Sequence, residues 1–78
     1  QPMASRSGAS GETLALYGRA LLRSGHPADA EPVLQQAVTY LPVDASAYRD
    51  LADAAERLGH VDIAREAHDR YSALSAGS

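Results

Sequence analysis

The sequence predicts an all-α fold: four helices forming two stacked antiparallel helix–turn–helix repeats, a short piece of α-solenoid. Three observations carry that reading. First, the chain echoes itself at an offset of 34 residues, pairing Ala20 with Ala54, Gly25 with Gly59, His26 with His60 and Ala30 with Ala64. Second, larger apolar positions keep their character across the shift: Leu14 with Tyr48, Tyr17 with Leu51, Tyr40 with Leu74. Third, apolar residues recur at helical spacing between breaks at glycine and proline. A fixed period of this size belongs to stacked repeats, here residues 11–44 and 45–78, and leaves residues 1–10 as a disordered lead-in or an expression remnant.

The first helix is expected to start at Ser10, an N-cap whose hydroxyl accepts from the backbone of Glu12 or Thr13. Glu12 in the first turn suits the positive end of the helix dipole. Leu14, Tyr17 and Leu21 continue the run until Ser24 and Gly25 stop it. A second helix begins near Pro27 and carries Ala30, Val33, Leu34, Ala37, Val38 and Leu41 on one broad face. It ends at Leu41, because a residue before proline is pushed out of the helical region. Pro32 lies inside this helix, where its ring opposes the carbonyl of Ala28; a small kink near the start is expected, with a start near Glu31 as the alternative. Asp44 caps a third helix running to Leu58, with Gly59 making the turn. The fourth starts near Asp62 and fades around Leu74. Connections of two to four residues force consecutive helices to lie antiparallel.

Composition excludes several classes. A chain this small sits near the lower limit for a self-sufficient core, and without cysteine it has no disulfide or thiolate metal site. The absence of cysteine fits a reducing, cytoplasm-like compartment without establishing one. A net charge of −3 argues against a nucleic-acid partner. No apolar run approaches the ~20 residues that span a bilayer, and residues 1–10 hold no apolar stretch of a signal peptide. Every basic side chain is arginine, which with the alanine content suggests a GC-rich bacterial coding sequence.

On the residues already named, the chain resembles the tetratricopeptide repeat family, whose unit is a 34-residue helix–turn–helix. Gly18 and Ala20 stand as the small residues of the inner helix, Gly25 as the turn, Ala30 and Ala37 as the close contacts, and Pro42 as the closing residue. Leu14, Tyr17, Leu21 and Leu34 fill the family's large apolar positions. The second copy matches at Tyr48, Leu51, Ala52, Gly59 and Ala64 and departs at His68, Tyr71 and Ala76. The resemblance implies a non-catalytic scaffold that binds a peptide or helix of a protein partner through its inner helices.

Differences between the copies suggest where. In the outer helices Val33, Leu34, Val38 and Leu41 become Ala67, His68, Ser72 and Ser75. Glu66 and Arg70 add an i,i+4 pair, so the C-terminal end is expected to be a solvated end of the array. In the inner helices Ala15, Leu16 and Leu22 correspond to Arg49, Asp50 and Glu56. The first helix is therefore apolar around most of its circumference. Exposing Leu16 and Leu22 would leave a few hundred Å² of apolar surface, which usually marks an interaction site. Its expected cover is a preceding repeat, a second copy of the chain or a ligand peptide; the alternative is that both leucines pack within the hairpin.

The expected partner-binding residues are Leu16, Arg19, Leu22 and Arg23 of the first helix, with Arg49, Asp50 and Asp53 of the third, and Glu56 alongside. The family's best-known ligand site clamps a C-terminal carboxylate with lysine and asparagine, and this chain contains neither. Arginine can bind a carboxylate bidentately, but Asp50 and Asp53 nearby would repel one, so no carboxylate clamp is expected. The bland reading of these charges is a solvated face with i,i+4 pairs Arg49–Asp53 and Asp53–Arg57.

No metal, cofactor or catalytic site is expected. His26 and His60 are equivalent turn positions, about 10 Å apart as stacked neighbours, and hydrogen bonding at helix starts accounts for both. His68 reads as a partly buried cap residue, and the four tyrosines read as packing, with Tyr71 the one open to a partner. No phosphate loop, nucleophile elbow or zinc-binding HExxH occurs. Two other readings remain: a homo-oligomerisation module that buries the first helix against its copy, and a regulatory appendage of a larger enzyme.

Overall fold

The computed structural model describes residues 11–76, so the Ser10 cap and the lead-in of residues 1–10 lie outside the described residues. Those residues form α1 (Gly11–Arg23), α2 (Pro27–Tyr40), α3 (Ala45–Leu58) and α4 (Val61–Ala76), with no strand among them. The all-α expectation holds, and α4 runs two residues beyond Leu74. Pro27 occupies the first turn of α2, and the helix continues through Pro32 to Tyr40 instead of starting near Glu31. The bond that Pro32 fails to make falls on Ala28, in the first turn, where the loss interrupts little.

Both hairpin turns are built the same way. Gly25 and Gly59 have φ of +84° and +79°, the left-handed region that L side chains rarely adopt. At the first turn Gly25 N–H donates to Leu22 O (3.1 Å) and His26 N–H to Leu21 O (2.9 Å). At the second, Gly59 N–H donates to Glu56 O (3.1 Å) and His60 N–H to Ala55 O (2.8 Å). This is the Schellman arrangement, which satisfies helix carbonyls that would otherwise be orphaned. The link between the hairpins uses different chemistry. Leu41 leaves the helix at φ −136°, as a residue before proline must, and its N–H still reaches Ala37 O at 2.9 Å. Asp44 Oδ1 then caps α3, accepting from Ala47 N–H (3.3 Å) and from Ser46 Oγ (2.8 Å).

Within each hairpin the helices are antiparallel. The start of α1 meets the end of α2, where a Cβ placed on Gly11 would lie 2.6 Å from Leu41 Cβ. The α2–α3 seam joins the hairpins, and α1 also touches α3. Eight of the twelve buried hydrophobic residues named among the described residues are alanines, so the helices approach closely around a few large side chains. Leu34 is fully buried, and Leu22, Tyr48 and Leu51 complete the bulk of the cluster.

Burial differs between equivalent positions of the two hairpins. Tyr17 is 56% exposed where Leu51 is 5%, and Leu16 is 62% exposed where Asp50 is 9%. The tyrosines divide accordingly: Tyr48 is buried and Tyr71 packs against the core, whereas Tyr17 and Tyr40 stand largely in solvent, contrary to the packing role expected of them. Leu51 is covered by the preceding hairpin, and no described residue covers Tyr17 in that way.

Candidate functional site

The inner helices α1 and α3 lie side by side, both with their N-terminal ends toward the interhairpin link. Two depressions follow the groove between them. Near the helix starts, a depression of about 180 Å³ is lined by Glu12, Ala15, Leu16 and Arg19 of α1 and by Asp44, Ser46 and Asp50. Further along, one of about 390 Å³ is lined by Arg19, Leu22 and Arg23 on one side and by Arg49, Asp50, Asp53 and Arg57 on the other. Six of the seven residues expected to meet a partner line this second depression, and Leu16 lines the first.

The structure corrects the character of several. Leu22 is only 6% exposed and belongs to the core, so it supplies floor, not a protruding contact. Leu16 stays exposed. The two leucines are six positions apart, about 120° around the helix at 3.6 residues per turn, and cannot share one face. Asp50 is not on a solvated face: its side chain is 12% exposed and its Oδ2 accepts from Arg19 Nε at 3.0 Å, tying α3 to α1. Asp53 pairs with Arg57 at 3.1 Å, as expected of an i,i+4 pair, but Arg49 does not join it. Glu56 turns away from the groove and accepts from His68 Nε2 at 2.8 Å across the second hairpin. Arg57 was the omission from the expected set; its i+4 spacing from Asp53 was the available signal.

The histidines also depart from expectation. His26 precedes α2 but makes no side-chain capping bond. His60 donates from Nδ1 to Glu31 Oε2 at 2.7 Å, reaching a carboxylate of the other hairpin whose side chain is 10% exposed. His68 is half in solvent, not a partly buried cap residue. Among the described residues no group of three His, Cys, Asp or Glu side chains could hold a metal ion.

Electrostatics distinguish the two depressions. The molecule carries seven arginines and ten carboxylates, yet the larger depression gathers four arginines and two aspartates. The smaller one has three carboxylates to one arginine. Glu12 and Asp44 at the helix starts and Arg23 and Arg57 in the last turns suit the local dipoles, so the two ends of the groove differ in sign, while Arg49, in the second turn of α3, adds a positive charge that no helix end explains. A third depression, about 400 Å³ between α2 and α4 over Tyr48 and Leu51, carries Glu66 and Arg70 at its rim, 3.9 Å apart, and has no comparable excess of charge.

A family model described as tetratricopeptide repeat matches residues 17–78. Neither a curated protein nor a solved structure matches the chain.

Proposed function

The chain belongs to the tetratricopeptide repeat family, and on that premise we propose that it is a non-catalytic scaffold holding a peptide or helix of a protein partner along the α1–α3 groove. Repeats of this family generally mediate protein–protein interaction, and among the described residues no helix is long and apolar enough to cross a membrane. The observation that carries the proposal is the gathering of Arg19, Arg23, Arg49 and Asp53 around one 390 Å³ depression, with exposed Leu16 beside it. Such a face combines an apolar anchor with polar groups that fix orientation. A rigid hairpin pair also binds without ordering costs of its own.

The test is a selection of short random peptides against the chain, with the binders mapped by amide chemical shifts. Shifts confined to α1 and α3 are the expected result; binders that perturb only α2 and α4, or a selection that yields none, sink the proposal.

A second reading has its own observation. Leu16 and Tyr17 are adjacent and mostly exposed on α1, which favours burial of that helix against a second copy. Sedimentation distinguishes it: self-association predicts a concentration-dependent mass that Leu16→Asp returns to the monomer, whereas a concentration-independent monomer removes it.

A further inference from the structure

We infer that the occupant of the larger depression is an acidic peptide segment, with its carboxylates held by Arg23 and Arg49. The inference rests on the reading of the α1–α3 groove as the partner face and adds the chemistry of what lies there. Two aspartates in the groove had argued against a carboxylate ligand. Both are already engaged: Asp50 by Arg19 at 3.0 Å and Asp53 by Arg57 at 3.1 Å. Arg23 and Arg49 line the same depression, are exposed, and make no ion pair with any described residue. Two guanidinium groups therefore stand open on a molecule whose net charge is −3. Leu22 beneath them provides a low-dielectric wall, which strengthens their field at the mouth of the depression. A guanidinium fork matches a carboxylate in planar, bidentate geometry.

The neighbouring depression decides between a short acidic segment and a continuous polyanion. Beyond the Arg19–Asp50 pair, which both depressions share, it is lined by the carboxylates of Glu12 and Asp44 and by no further arginine. A nucleic-acid backbone following the groove would leave the arginines and run onto these carboxylates. A peptide meets the change of sign residue by residue, placing its acidic side chains at Arg23 and Arg49 and an apolar one against Leu16.

The peptide selection described above tests this, run in parallel on the wild-type chain and on Arg23→Glu/Arg49→Glu, with circular dichroism confirming that the variant is helical. Wild-type binders should be enriched in Asp and Glu, and the enrichment should vanish with the variant. The affinity of a wild-type binder should fall about tenfold on the double reversal. It should also weaken steadily as salt rises from about 50 to 300 mM. Arg65→Glu/Arg70→Glu, which makes the same charge change on α4, should alter it less than about twofold. The uncharged pair Arg23→Gln/Arg49→Gln should give an intermediate loss. Neutral or basic binders that still perturb α1 and α3 would overturn the acidic chemistry while leaving the partner face standing. Binders that map elsewhere would overturn both. An equal loss from the α4 reversal would reduce the effect to net charge, and a single-stranded oligonucleotide binding more tightly at the same salt would replace the peptide as occupant; either result refutes the inference.

Discussion

Gly18 and Leu34 define the tightest contact of the first hairpin. A Cβ on Gly18 would lie 2.5 Å from Leu34 Cγ and 2.7 Å from its Cδ2, and Leu34 has no exposed surface into which to retreat. Gly18→Val is therefore expected to lower the unfolding free energy by about 2 kcal/mol in urea titration. If contact with Leu34 is the cause, the two sites must be coupled. In a Leu34→Ala background, itself costing about 2–5 kcal/mol, the valine penalty should shrink by more than about 1 kcal/mol. Strict additivity would place the strain elsewhere. The sequence pattern marked Gly18 and Ala20 alike as small inner-helix positions, yet Gly18 is buried and Ala20 exposed, whereas Ala54 is fully buried. The pattern records that a small residue is tolerated; it does not say whether a neighbouring hairpin stands against it. Gly-His shows the same division. The backbone of both copies closes the same turn, as the repeat implied. The side chains diverge because His60 has Glu31 of the other hairpin within reach, and His26 makes no such bond among the described residues.

Helix ends were the most legible part of the chain, since local chemistry sets them: left-handed glycine at Gly25 and Gly59, Pro42 after Leu41, and Asp44 at the start of α3. Asp44→Ala removes both bonds that hold this start and should cost about 1 kcal/mol, read as a lower urea midpoint with an unchanged slope. Packing between elements was less legible. The positions of Arg19 and Asp50 do not announce a bond, because they meet only once α1 lies beside α3. Arg19→Ala leaves a carboxylate with a 12% exposed side chain uncompensated and should cost about 1–3 kcal/mol. Arg57→Ala breaks a pair in which both partners are about half exposed and should cost less than about 1 kcal/mol. Equal losses in the two variants would mean that Asp50 recruits water or another donor.

The largest cluster crosses the boundary between hairpins, joining Leu34 of α2 to Tyr48 and Leu51 of α3. Neither hairpin therefore owns a core. A peptide of residues 1–44 alone should show little helix by circular dichroism, because it lacks the α3 surface that covers Leu34 and Ala30. A helical spectrum for that peptide would show that the first hairpin holds itself together. Two polar links also cross between the hairpins: Arg19–Asp50 leaves from α1, and Glu31–His60 from α2. One link would act as a pivot. Two, anchored on different helices of the same hairpin, oppose torsion, because twisting one hairpin against the other about the α2–α3 seam must stretch at least one of them. The two hairpins are thus tied at two points on either side of their packed seam, and a partner laid along the α1–α3 groove meets walls that are already joined.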